Sequence, residues 1–562
     1  MAAAGQINST NMYSKQLFRV VFTGILLTVA GTVHAQKDTT KNGGVNIVSS
    51  FKPVLREAAK INFNTSPPPA DTAKPRLNYT VPNQNLAFAY QPGVLKPLAL
   101  NIDSNGKFNN SSYIKAGFGS LRTPFVQAGI SFGDGSTAGL NIYAKHVGSD
   151  GKRDFQKFAN TNIRLAGYFK SGNNLQWDAS AGMSQLRTYK YGYEPQSLVF
   201  ATDSIKQNFQ TISGRLSFHN INKTAFGLTY APALKIDVFS DNLKNSESNT
   251  VLHLPLEKTV GKDFAVNLAL TFDLTRLSPK GKAALNNTIY YIAPSVLYKT
   301  SKINVQAGIR PSWDNKSFKL FPNVLADIST EDRRFTFQAG WTGYIRKTTY
   351  QYLAGQNPWI WLPASFKNTW IEERFAGFKG SIGNHFTYSA KAGFNLLNNQ
   401  PLFINDTAAG SDGKSFRVIN ESRINVVNFG GELGYTINEK FSLITGLTFN
   451  QFSGLRDNAK AWGLVPLELK AAMRLQVIKD LWLKTDLYAF QGAKYLKKGN
   501  IEDRLAGAVD LSAGLEFKIT KNVNLWTQFN NIFNREYQRW NQYPVYGFNF
   551  VGGVVFNFDT KN

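Results

Sequence analysis

The side chains able to do chemistry in this 562-residue chain are few and scattered. There is no cysteine, which excludes a disulfide scaffold, a thiolate-ligated zinc or iron–sulfur site and a cysteine lipid anchor. The five histidines, His34, His146, His219, His253 and His385, have no second ligand at a metal-binding spacing such as His-x-x-x-His. No Gly-x-Ser-x-Gly elbow and no Walker-type phosphate loop occurs. A Ser/His/Asp trio would meet only in space and leave no local motif. The expectation is a protein that is not an enzyme and needs no metal or other cofactor.

What remains is charge and aromatic surface. Lys and Arg number 63 against 37 Asp and Glu, so the formal net charge is 63 − 37 = +26. Five charged residues fall on two successive apolar–polar alternations: Glu468, Lys470 and Arg474, then Lys484 and Asp486. If the apolar faces point outward, these five project into a lumen, as a ladder that conducts or binds an anionic solute. The same residues also describe a mutually neutralised, wetted interior, and the interleaving of acids with bases favours that reading. Three of the ten tryptophans, Trp359, Trp361 and Trp370, sit in one segment around Pro358 and Pro363. Such a segment either anchors in a partner or the membrane interface, or packs on itself over or into a pore. The stretch 187–206 is similarly aromatic, with Tyr189, Tyr191, Tyr193 and Phe200. The basic residues form no compact patch, so nucleic acid is not an expected partner. Lipopolysaccharide phosphate or an anionic solute is the expected counter-charge.

The elements that must position these residues are strands. Lys15 and Arg19 precede the apolar run Val20–Val33, which ends at Val33-His34-Ala35 before Gln36. A basic start, a short apolar run and a small-x-small site predict a cleaved signal peptide over residues 1–35. The run is shorter than the ~20 residues of a spanning helix. Its removal takes two positive charges and leaves +24. Residues 36–107 hold eight of the 21 prolines and read as an extended periplasmic tail, with one short helix expected at Val54–Ile61. From about Ser111, ten- to fourteen-residue segments alternate apolar and polar to the C-terminus. In one, Phe264, Val266, Leu268, Leu270, Phe272 and Leu274 alternate with Ala265, Asn267, Ala269, Thr271 and Asp273. About 22 such segments, joined alternately by short turns and longer loops, predict an all-β fold: an antiparallel transmembrane barrel over residues 108–562. A soluble all-β protein would show a propeller-like repeat, or need a second sheet to cover so uniform an apolar face. Neither is evident.

The C-terminus carries the most specific pattern. Asn531-Ile-Phe533-Asn-Arg-Glu-Tyr537 precedes a last alternation, Phe548, Phe550, Gly552, Val554, Phe556 and Phe558. This hairpin resembles the end of TonB-dependent receptors, whose penultimate strand closes on Asn-Leu-Phe-Asn/Asp-x-x-Tyr and whose last strand ends on an aromatic barrel-assembly signal. On that resemblance Asn531, Phe533, Tyr537, Phe556 and Phe558 form the terminal barrel motif, and the barrel-assembly machinery is a partner during biogenesis. The family's barrels also have 22 strands. The segment Val45–Ile61, with Asn357-Pro358 and Pro401–Asp406, is similar to shortened, plugless members found in Bacteroidota. One departure stands out: residues 36–107 leave no room for a full plug, and Val45–Val48 as a TonB-contacting box is only a β-prone tetrapeptide. The resemblance thus implies an outer-membrane transporter or channel, with energy-coupled uptake not implied. The alternative is a non-transporting scaffold that docks an accessory envelope protein through its tail and loops.

Overall fold

A computed structural model describes residues 111–559, apart from 173, 194–198, 333, 407–412, 439 and 498–499. The leader, the Pro-rich tail and the helix expected at Val54–Ile61 lie outside the described residues.

The alternating segments form one closed antiparallel ring of 22 strands. A three-residue accessory strand, Leu228–Tyr230, pairs beside the strand Ser246–Val260 and brings the sheet to 23. Closure is made by the two ends of the described chain. The first strand, Ser111–Gly119, pairs with Thr123–Gly133 on one side and with the last strand, Asn549–Asp559, on the other. The seam is in register from Ser111↔Asp559 to Gly119↔Val551. Two glycines let the strands approach there: a Cβ on Gly553 would lie 1.9 Å from the Ala116 carbonyl oxygen, and one on Gly117 would strike Gly552 and the Trp526 ring. Trp526 packs on the inner side of the seam, donating from Nε1 to the Ala116 carbonyl (3.3 Å), with the Lys115 ammonium 3.7 Å from its ring centroid.

Because side chains alternate across a strand, each ladder has an outer and an inner face. On the strand Phe264–Ser278 the residues Phe264, Val266, Leu268, Phe272 and Leu274 are exposed outward, whereas Ala265, Thr271 and Thr275 are buried. The exposed large hydrophobics continue around the ring, among them Ile114, Val126, Ile212, Phe337, Phe394 and Phe556. An apolar exterior of this extent requires lipid, and ring closure satisfies every strand edge that lipid could not. No described helix is long and apolar enough to cross a membrane.

The connections divide as the sequence predicts. Turns such as Lys479–Asp480, Thr300–Lys302 and Gly383–His385 lie at the rim where the first and last strands begin and end. The opposite rim carries the long connections, and they are more structured than expected. In the connection 399–423, Gln400–Asn405 pairs with Phe416–Glu421 as a hairpin. Smaller hairpins join Lys494–Lys497 with Ile501–Arg504 and Gln538–Trp540 with Tyr543–Pro544. The connection 347–368 contains a short helix, Tyr350–Gln356.

Candidate functional site: a capped lumen

The five charged residues singled out from sequence lie on the inner face. On Leu467–Ile478 and Leu481–Phe490 the leucines at 475 and 483 pair on the outer side, which turns Glu468, Lys470, Arg474, Lys484 and Asp486 inward. They do not gather into one ladder. Lys484 Nζ meets Glu516 of the next strand at 3.1 Å, and Glu516 also accepts from Asn524 Nδ2 at 2.8 Å. Glu468 accepts from the Tyr488 hydroxyl at 2.9 Å, with the largely exposed Lys470 ammonium 3.9 Å away. Elsewhere on the wall Lys391 pairs with Glu373 at 2.7 Å and Lys235 with Asp237 at 2.7 Å. These pairs match charges locally along the described wall.

The long connections close over this lumen. Those following Leu175–Tyr189 and Phe335–Arg346 leave the ring eight strands apart, yet Trp359 of the second donates from Nε1 to the carbonyl of Tyr189, the strand residue from which the first departs, at 2.9 Å. Trp359 is 3 % exposed and stacks on Tyr543 of the last connection, centroids 3.7 Å apart. Tyr191 meets both rings edge-on, at 5.9 and 4.9 Å, and its hydroxyl donates to the Pro544 carbonyl at 2.9 Å. Phe403 and Phe416 of the 399–423 hairpin pack edge-on against Trp540 at 5.1 and 5.4 Å, and the Tyr543 hydroxyl donates to the Lys414 carbonyl. Four connections therefore share one aromatic core spanning the mouth.

Polar anchors fasten that core to the barrel. The carboxylate of Glu247, on the rim of Ser246–Val260, accepts from the backbone N–H of Tyr350 (2.6 Å) and Gln351 (2.9 Å). It thereby satisfies the first N–H groups of the short helix, while the Thr349 hydroxyl caps Tyr352 N at 3.0 Å. Lys347 reaches Asp273 on the inner wall. Both ends of the connection meet at Asn368, which accepts from Thr348 N at 2.9 Å and exchanges hydrogen bonds with Asn287 at 2.7 and 2.8 Å. Glu421 is fully buried and accepts from the backbone N–H of Arg456 (2.8 Å), Asp457 (3.0 Å) and Asn458 (2.9 Å), tying the 399–423 hairpin to its neighbour. Burial alone would raise this carboxyl, but the Asn458 side chain and these N–H groups hold it below the ordinary carboxylate range. Lys190, stacked 4.3 Å from the Trp361 centroid, is pushed down to about 8 by burial and then by the nearby Lys414 charge.

The three tryptophans thus separate. Trp359 is spent inside the cap. Trp361 stays 44 % exposed beside Lys190, and Trp370 donates from Nε1 to Asp314 at 2.7 Å. The terminal motif also divides. Asn531, with a left-handed φ of 47°, donates to the Arg535 and Tyr546 carbonyls, both at 2.7 Å, so it shapes the last connection. The Tyr537 hydroxyl donates to Asp510 on the inner wall at 2.9 Å. Phe533 is exposed, and Phe556 and Phe558 stack at 5.9 Å on the outer face of the final strand. Tyr543, Trp540, Glu247 and Glu421 carry the cap but were not singled out in the sequence. The density of Trp and Tyr in 538–546 was the one visible signal, and only for Trp540 and Tyr543.

His146, His219, His253 and His385 each meet a neighbouring polar group: Thr161, Asp178, Thr271 and the Thr436 carbonyl. No group of three metal-ligating side chains occurs among the described residues.

No protein-family model and no curated protein sequence matches the chain. Solved structures do. The FrpB iron transporter from Neisseria meningitidis (F5-1 variant) superposes with a TM-score of 0.62 at 12 % identity, covering 83 % of each chain. The siderophore receptor PirA from Acinetobacter baumannii gives 0.61 at 10 % identity, over 80 % of this chain and 81 % of its own. The copper transporter OprC gives 0.58 at 13 % identity, over 82 % and 84 %. At such identities the likeness shows the fold alone, a large antiparallel barrel as the strand pattern of the sequence predicts.

Proposed function

We propose that this chain is exported by its leader to the outer membrane and passes a solute through its lumen, with the loop cap as the outer gate. The observation that carries this reading is the aromatic core joining connections eight strands apart across the mouth of a 22-strand ring. A ring of this width encloses far more lumen than its own side chains fill. A pore of that size needs a closure, and the cap supplies one at one end. Residues 36–107, which the sequence reads as a Pro-rich tail without room for a full plug, are proposed as a further, partial closure. Likeness in fold to iron and copper transporters and a siderophore receptor supports solute passage. The paired charges of the wall favour weak ion selectivity. Lipopolysaccharide surrounds the long-loop end, and the barrel-assembly machinery inserts the chain through its last strand.

Single-channel recording in planar bilayers tests the reading. Deletion of residues 36–107 is expected to raise conductance, and weakening the cap is expected to raise it further. A chain that fractionates with soluble periplasmic protein, or that conducts in none of these forms, overturns the proposal.

A further inference from the structure

The outer wall carries a feature that solute passage does not use. Across four adjacent strands the register sets Ala326, Ala339, Ala376 and Ala392 side by side on the outer face. The next outward row toward the long loops is Val324, Trp341, Arg374 and Phe394. The next row toward the short turns is Ile328, Phe337, Phe378 and Ala390, so it is large on three strands only. Below the ridge of Val324, Trp341, Arg374 and Phe394 the alanines leave an open, shallow furrow of about 650 Å³.

Arg374 stands on that ridge, 61 % exposed and ion-paired with Glu372 on the same outer face. Its Nη2 donates to Glu372 Oε1 at 2.8 Å, and the same oxygen accepts from Trp341 Nε1 at 2.9 Å. The guanidinium carbon lies 5.3 Å from the Trp341 ring centroid, so the head is held in place. Its Nε and Nη1 groups meet no acceptor among the described residues. Eight residues separate Arg374 from the exposed Ile382 near the short turns. At the rise and tilt of barrel strands that is roughly 20 Å across a band about 25 Å tall. Arg374 therefore sits where hydrocarbon gives way to headgroups on the long-loop side. Glu372 takes one of its donors, and the remaining Nε and Nη1 groups still require acceptors there, which phosphate oxygens would supply.

We propose that the furrow and Arg374 form a binding site for a phosphate-bearing, multi-acyl glycolipid of the outer leaflet, the phosphate on Arg374 and an acyl chain across the alanine row. The furrow is one side-chain row deep and wholly apolar beneath the cation. That shape and charge fit one hydrocarbon chain below an anionic head, whereas a second copy of the barrel would have to cover the free donors with an acceptor of its own. The site rests on the orientation given above, with the long loops outward.

Native mass spectrometry of the full-length protein tests it. The protein is released from phosphatidylethanolamine nanodiscs containing phosphorylated lipid A, dephosphorylated lipid A or phosphatidylglycerol. The wild type is expected to retain one phosphorylated lipid A. Arg374→Gln and Ala376→Phe should each lower retention about tenfold, with Arg374→Lys between. Equal retention by wild type and Arg374→Gln, or equal retention of the dephosphorylated lipid, overturns the site. Phosphatidylglycerol held as firmly as lipid A overturns the glycolipid assignment, and a dimer without lipid overturns both. The heat-dependent gel shift of unboiled samples shows that each variant is a folded barrel; if Ala376→Phe is not, Arg374→Gln decides. Conductance of the same samples is read separately, so failure of the pore reading and failure of the lipid site remain distinguishable.

Discussion

Replacing Trp359 by alanine should open the cap without unfolding the barrel. Trp359 is almost wholly buried, stacks on Tyr543 at 3.7 Å, meets Tyr191 edge-on and donates to the Tyr189 carbonyl across the mouth. Truncating a buried tryptophan costs about 3–5 kcal/mol, with about 1 kcal/mol more for a lost hydrogen bond. Part of that is recovered as the neighbouring loops collapse, which leaves about 4 kcal/mol removed from the closed cap. In the open cap the ring faces water and its loss costs little. The closed–open equilibrium should therefore move by about three powers of ten. The ring of strands does not depend on this contact, so the heat-dependent gel shift should persist. The assay is single-channel recording with residues 36–107 deleted, so that the outer gate alone limits current. The Trp359→Ala trace should be dominated by long openings, whereas Trp361→Ala, removing a half-exposed ring held by one lysine, should change open time less than tenfold. An unchanged trace for Trp359→Ala, with the barrel intact, would show that the aromatic core does not gate the lumen.

Other expectations concern charge and closure. Lys190 titrates near 8 in the closed cap and at the ordinary lysine value, above 10, once exposed, so the open state binds more protons between those values. Closure should strengthen as pH rises through that window, lowering open probability, and Lys190→Met should flatten the profile. Glu421 has the opposite sign: its carboxyl is held low when buried, so its stabilisation is present above the ordinary carboxylate range and lost as pH falls through the depressed value. Limited proteolysis near residues 454–458 should speed up in acid, and Glu421→Gln should reproduce that at neutral pH at a cost of about 2 kcal/mol. Lys484→Met should destabilise the barrel by about 3–5 kcal/mol, because Glu516 is left charged and buried; denaturant unfolding followed by tryptophan fluorescence measures it. Gly553→Val should prevent ring closure and abolish the gel shift, since even a Cβ there meets the Ala116 carbonyl at 1.9 Å.

The barrel was legible because a strand facing lipid on one side and water on the other must alternate, and Phe264–Ser278 does so almost without exception. The inward direction of Glu468 or Lys484 follows from the same period. What they pair with does not, since Glu516 lies on the next strand and only register brings it to Lys484. The cap was half legible. A tryptophan-rich segment was visible, but its partner Tyr543 lies far along the chain, and nothing local distinguishes a ring that stacks inside from one that reaches out. Glu247 and Glu421 were invisible for a related reason: each accepts backbone N–H groups from a distant loop, and a backbone donor leaves no residue type to read. Asn531 was noticed through a family likeness, whereas its work, holding a left-handed bend by two carbonyl contacts, is local.

The seam between Ser111–Gly119 and Asn549–Asp559 also acts as a test of completeness. The edge of the first strand stays unsatisfied until the last strand of the chain has been made, exported and laid beside it. A polypeptide broken off anywhere before Asn549 would offer lipid a row of bare N–H and C=O groups, which lipid cannot solvate. Truncated products are thereby kept from inserting and remain in water as substrates for proteases. Length is thus written into the ring itself, because the edge of Ser111–Gly119 is satisfied only by Asn549–Asp559.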